Sequence, residues 1–104
     1  MEYKIVLTQD AEEDLEKFIL YLLIEKQSEQ AATNLLNDFE ATQNQLKYSA
    51  EALNYCKHPK LKRMGYRRIN FISHHYFILY RVINHIVFID HIFHNLQDYE
   101  NTLQ

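Results

Sequence analysis

Arg68, Arg81 and His94 are the side chains best placed to do chemistry, because one short stretch of the chain carries all three. The stretch runs from Gly65 to His94 and reads as three strands, residues 66–72, 76–83 and 86–93. Ile, Val, Phe and Tyr fill these runs and suit a pleated, half-buried surface. Side chains alternate faces along a strand. Parity therefore puts Arg68, Asn70, Phe77, Leu79, Arg81, Asp90, Ile92 and His94 on one face. Ile69, Phe71, Ile78, Tyr80, Val82, Val87, Ile89 and Phe93 take the other face and form the expected core. His91 falls among the core positions and breaks the pattern. Arginine neutralises phosphate or carboxylate charge, and histidine exchanges protons near neutral pH. The plainer roles are an ion pair of Arg68 or Arg81 with Asp90, and packing or capping by His94.

A second candidate is the basic stretch leading into the first of these strands. Lys57, Lys60, Lys62, Arg63, Arg67 and Arg68 lie close together with no acid among them. Such a stripe fits phosphate or nucleic acid, an acidic protein partner, or the chain's own acidic half. The formal net charge of −3 hides that division. Residues 1–51 hold eleven acids and four bases, whereas residues 52–104 hold three acids, seven bases and all six histidines. Cys56 sits near His58, but no other residue stands at metal-ligand or triad spacing around them. With one glycine in the chain there is no Gly-rich phosphate loop. Neither a metal nor a cofactor is expected.

The elements that must position these residues follow from periodicity. Residues 1–7 read as a strand. Thr8 is the expected N-cap of a helix over 9–26, with Asp10, Glu12, Glu13 and Asp14 complementing its positive end. Ser28 caps a second helix over 29–53. Apolar residues recur at helical spacing in both, and the short break makes them an antiparallel hairpin covering the apolar side of the sheet. Residues 48–63 read as an ordered loop containing a short turn. A terminal helix would align Leu96, Tyr99 and Leu103. The breaks at Ser73-His74-His75 and Asn84-His85 allow only hairpins, hence an antiparallel meander. The fold class is α+β in the order β-α-α-β-β-β, with 104 residues expected to form one domain. No apolar run spans a membrane and no signal peptide opens the chain. The single cysteine fits a reducing cytoplasm.

Several motifs, taken in order, resemble toxins of the RelE/ParE superfamily from bacterial type II toxin–antitoxin systems, of the plasmid stabilisation type. They are Tyr3…Leu7-Thr8 with Ala11-Glu12-Glu13-Asp14-Leu15, then Gly65-Tyr66-Arg67-Arg68-Ile69, Tyr76-Phe77-Ile78-Leu79-Tyr80-Arg81-Val82, and the ending His94…Asp98-Tyr99-Glu100…Leu103. The resemblance covers nearly the whole chain. It implies a small cytoplasmic toxin held silent by a cognate antitoxin that lies along the helical hairpin or across the sheet edge and meets the basic stretch. Free toxin would act on DNA gyrase, as ParE-like members do, or cleave mRNA on the ribosome, as RelE-like members do. For the nuclease, Arg68 and His94 match basic and proton-transfer positions of the family, with Arg81 beside them. Phe77, and Leu96 with Gln97, stand where two phosphate-clamping arginines are expected. A gyrase inhibitor needs no catalytic group, so these departures favour the ParE-like reading. A degenerate, non-toxic antitoxin binder is the third alternative; exposure of Phe77, Leu79 and Ile92 would favour it.

Overall fold

The computed structural model describes residues 2–97. Its elements are β1 (Lys4–Leu7), α1 (Gln9–Leu20) running on into a π turn (Tyr21–Glu25), α2 (Glu29–Ser49), α3 (Pro59–Arg63), β2 (Arg67–Asn70), β3 (Tyr76–Ile83) and β4 (Ile86–His94). The four strands form one sheet in the order β1-β4-β3-β2. β2, β3 and β4 are the antiparallel meander, and β1 joins β4 in parallel. The expected α+β order holds, and the expected loop contains the short helix α3. The expected terminal helix falls on residues outside those described.

Local chemistry sets the element ends. The Thr8 hydroxyl accepts the Ala11 amide at 3.2 Å, and the Ser28 hydroxyl accepts that of Ala31 at 3.0 Å. These are side-chain caps of otherwise orphaned helix amides. Asn84 and His85 both take positive φ, 50° and 63°, the combination a two-residue type I′ hairpin requires. α2 stops at Ser49 rather than running on to 53 because the sheet takes over its last carbonyls. The Tyr80 hydroxyl donates to the Ala50 carbonyl at 2.6 Å, and the Arg67 guanidinium donates to those of Glu51 and Leu53. A cation there also complements the negative helix end.

The helical hairpin covers one face of the sheet. Ala11, Leu35, Phe39, Leu46, Ile69, Phe71, Ile78, Tyr80, Val87, Ile89 and Ile92 form that core, with Val82 half-buried at its edge. The expected core is present, with one shift of register. Leu79 pairs with His91 while Tyr80 pairs with Ile89, so Asp90 is an extra residue in β4. Such a bulge reverses the facing of everything beyond it. Ile92 and His94 therefore lie on the helix side and Phe93 on the far side, opposite to the parity expectation. His91 no longer breaks a pattern: it faces with Phe93, whose ring centroid is 5.5 Å from its own.

The far face is not the open polar surface that parity implied. Phe77, Leu79 and Phe93 are buried there beneath Cys56, Leu61 and Tyr66, which come from the segment between α2 and β2. Fully burying a side chain such as Phe77 contributes roughly 1.5–3 kcal/mol, which explains why this segment is ordered although α3 is its only helix. The exposure of Phe77, Leu79 and Ile92 that would favour a degenerate binder is thus absent, since all three are buried.

One carboxylate ties the β2–β3 turn to the helices. Asp38 of α2 is buried and accepts the amides of Ile72 and Ser73, both at 3.0 Å, while His74 Nδ1 lies 2.6 Å from it. Burial alone pushes this carboxyl up, but the bonds from His74, Ser73 and Ile72 outweigh it and hold the group below its ordinary value. A depressed folded-state value stabilises the fold above the unfolded value of about 3.9. That contribution disappears as pH falls through the folded value. Thermal unfolding of Asp38→Asn is therefore expected to show a flatter acid limb than the parent between about pH 5 and pH 2. Parallel limbs would remove Asp38 as a source of acid sensitivity.

Candidate functional site

The bulge sorts the three candidate catalytic residues onto two sides of the sheet. Arg68 in β2 pairs with Leu79, and both face away from the helices. Its guanidinium carbon stacks 3.7 Å from the Phe77 ring centroid and its Nε donates to the Asn70 side chain at 3.1 Å. Arg68 does not form the ion pair with Asp90; Arg81 does. Arg81 Nε donates to Asp90 Oδ2 at 2.6 Å and Nη2 lies 3.4 Å from Oδ1. Tyr66 completes this group, its ring centroid 5.7 Å from the Arg81 guanidinium. Burial first, and the Asp90 charge second, push the Tyr66 hydroxyl up, so it stays protonated near neutral pH.

His94 sits elsewhere. Its ring meets Tyr76 edge-on at 5.0 Å, and Tyr76 in turn meets Phe18 of α1 at 4.8 Å. The His94 Nδ1 accepts the Leu96 amide at 3.1 Å, and its own amide donates to the Gln97 side chain at 2.7 Å. These bonds close the turn after β4. Arg68, Arg81 and His94 therefore do not converge on one phosphate.

The bulge that separates them is held by α1. Thr8 donates through its hydroxyl to the Ile89 carbonyl at 2.9 Å, and Asp14 accepts the Ile92 amide at 3.0 Å. Asp14 also lies 3.4 Å from His91 Nδ1. Its hydrogen bond raises the imidazole's pKa above the ordinary value, against the opposing effect of burial.

The basic stretch divides as well. Lys60, Lys62 and Arg63 ride on α3 and are exposed, while buried Leu61 anchors the helix to the far-face core. Pro59 opens that helix and His58 caps it, Nδ1 accepting the Lys60 amide at 3.2 Å. Arg67 turns to the helix side, against the end of α2, and stacks 3.9 Å over the Tyr55 ring. Lys57 is exposed and, with His58, Asn54, Arg68 and Asn70, lines a cleft of about 750 Å³ between the loop and the β2 edge. Two cations, Lys57 and Arg68, thus meet the His58 and Asn70 side chains at one cleft. His58 and Asn70 had no place in the expected site. Asn70 was legible, since it shares the parity of Arg68 two residues away. His58 was not, because its position depends on how the loop folds back. Among the described residues no group of three His, Cys, Asp or Glu could hold a metal, and no helix is long and apolar enough to cross a membrane.

A helical hairpin on a four-stranded mixed sheet in the order β1-β4-β3-β2 matches the fold of ParE/RelE-like toxins. The model of the family described as "ParE toxin of type II toxin-antitoxin system, parDE" matches residues 5–99, and the chain belongs to that family. Its fold is similar to a chain of a chromosomal ParDE toxin–antitoxin system from P. aeruginosa. That likeness has a TM-score of 0.67 and 18% identity, and covers 89% of this chain and 96% of the other. It is also similar to a chain of the toxin–antitoxin complex RelBE2 from Mycobacterium tuberculosis. There the TM-score is 0.59 and the identity 16%, over 90% of this chain and 99% of the other. A search of the curated proteins found no match.

Proposed function

We propose that this toxin is neutralised by a cognate antitoxin and, when free, arrests growth as a ParE-like inhibitor of DNA gyrase without cleaving RNA. The observation that carries the second half is the placement of His94 across the sheet from Arg68 and Arg81. Cleaving RNA through its 2′-hydroxyl needs a proton-transfer group and charge neutralisation at one phosphate. Here the expected proton-transfer group packs on Tyr76, and Arg81 is neutralised by Asp90. A surface that binds gyrase makes no such demand. The solved toxin–antitoxin systems with the same fold support an antitoxin as partner.

The test is induced expression with primer-extension mapping of translated messages, alongside a supercoiling assay with purified gyrase. Intact messages and stalled supercoiling are expected, and His94→Ala is expected to leave growth arrest unchanged. Ribosome-dependent cuts that His94→Ala suppresses by about 10²–10⁴ in rate would overturn the proposal.

One observation favours the RelE-like alternative. The cleft gathers Lys57, His58, Arg68 and Asn70, a set able to hold a phosphate and exchange a proton without His94. In that case the messages would be cut, and His58→Ala rather than His94→Ala would protect them.

A further inference from the structure

We propose that His91 and Asp14 form a proton-operated latch between α1 and the β4 bulge, holding the helix to the sheet more firmly when the imidazole is charged than when it is neutral. The latch fills a gap at the sheet edge. β1 pairs with β4 only from Lys4 to Leu7, opposite Ile86 to Ile89. Past Ile89, that side of β4 has no strand beside it among the described residues, and α1 supplies the partners instead. Thr8 donates its backbone amide and its hydroxyl to the Ile89 carbonyl, at 3.1 Å and 2.9 Å. Asp14 Oδ2 then accepts the Ile92 amide at 3.0 Å, and the same oxygen lies 3.4 Å from His91 Nδ1. One carboxylate oxygen thus serves both the strand backbone and a group that changes charge near neutral pH.

The surroundings suit a cation at His91. Asp10 and Asp14 stand one helical turn apart on α1, where like charges oppose each other. The charged groups that face His91 are these two acids and Asp90 of its own strand. From β3, Leu79 lies opposite it in register, and the charge of Arg81 is taken up by Asp90. Tyr66, beside Asp90, stays protonated. Phe93 packs on the imidazole. The His91 and Asp14 side chains are 23% and 31% exposed, so protons reach the pair from solvent while salt screens it only in part.

Linkage sets the direction. The bond to Asp14 raises the imidazole's folded-state pKa, so the stabilisation is complete below the unfolded value of about 6.5. It is lost as pH rises through the folded value. A neutral ring then offers Asp14 at most a weaker, uncharged hydrogen bond, and the repulsion between Asp10 and Asp14 is unopposed. This response is opposite in sense to that of Asp38, whose contribution is lost on the acid side. Mildly acidic conditions therefore tighten the junction of hairpin and sheet, whether the free toxin acts on gyrase or on mRNA.

The experiment is amide hydrogen exchange of the full chain, read by NMR and divided at each pH by the unfolded-chain rate. Protection of the Ile92 amide is expected to fall roughly two- to fivefold between about pH 6 and about pH 8.5, the effect of one partly exposed ion pair. The midpoint should coincide with titration of the His91 ring and lie above that ring's value in the urea-unfolded chain. Asp14→Asn keeps an acceptor for Ile92 but no charge; it should lower the His91 midpoint and flatten the response. His91→Gln should flatten it as well, whereas His74→Gln, at the Asp38 contact, should leave it in place. Three results would overturn the proposal: a His91 midpoint at or below that of the unfolded chain, Ile92 protection in the parent that does not change with pH, or a change that survives in either His91→Gln or Asp14→Asn. The first two are read on the parent chain alone, so a variant that fails to fold does not remove the test.

Discussion

Arg81→Ala is expected to destabilise the fold by about 1–3 kcal/mol, the usual cost of taking the partner from a buried acceptor, because Arg81 is itself partly exposed and water can enter where it leaves. Asp90 is 7% exposed, and the Arg81 guanidinium is its charged neighbour at 2.6 Å. Removing the cation leaves a mostly buried carboxylate with the Tyr66 hydroxyl as its remaining side-chain neighbour. The damage should spread into the strand, because Asp90 is the extra residue of the β4 bulge. The pair itself contributes less than its loss costs. Arg81→Met combined with Asp90→Leu should therefore recover most of the stability. Denaturant unfolding of the parent, both single variants and the double variant gives the result. A loss below about 1 kcal/mol in Arg81→Ala would mean that Asp90 finds another partner. The same variants bear on function: an arginine needed for catalysis would abolish toxicity even in a refolded, stable double variant.

The second large effect is at Asp38. Asp38→Ala is expected to cost about 2–4 kcal/mol, because it strips the acceptor from two backbone amides and from His74 at once. A domain this size loses roughly 4–8 °C of melting temperature per kcal/mol, so a fall of about 10–25 °C should be seen. Hydrogen exchange should locate the damage. The amides of Ile72 and Ser73 lose protection first, while those of β4 follow only the global change. Uniform loss across the chain with those two amides unaffected would show that the carboxylate serves some other contact.

β3 and β4 were legible in the sequence because β-branched and aromatic runs were divided by Asn84-His85, which tolerates positive φ. The caps Thr8 and Ser28 were legible for the same local reason. The facing of β4 was not, since period-two reading assumes an unbroken ladder and a bulge inserts a residue. Its trace was two adjacent polar residues, Asp90 and His91, in a strand that otherwise alternates. Arg67 and Arg68 show a related loss. Counted as one basic run, they look like one patch, yet neighbours in a strand must face opposite ways. One therefore went to the end of α2 and the other to the cleft. Asp38 was overlooked although it stands in the apolar stripe of α2 with Leu35, Phe39 and Thr42, where an acid needs a partner. That partner lay in a turn 34 residues away, which no local pattern reveals.

The pairing of β1 with β4 governs when the protein can exist at all. Thr8 bonds to Ile89 across 81 residues, and Lys4 aligns with Ile86. During synthesis the hairpin emerges first, with the apolar sides of α1 and α2 complete and no sheet to receive them. Local helices form within about a microsecond, but β1 must wait for the last strand. A partly made chain thus has its helices without its bulge, its cleft or its ion pair. Any activity that depends on those parts begins only once β4 has cleared the ribosome. Until then the unfinished chain presents the same apolar stripes to chaperones and proteases as any unfolded protein.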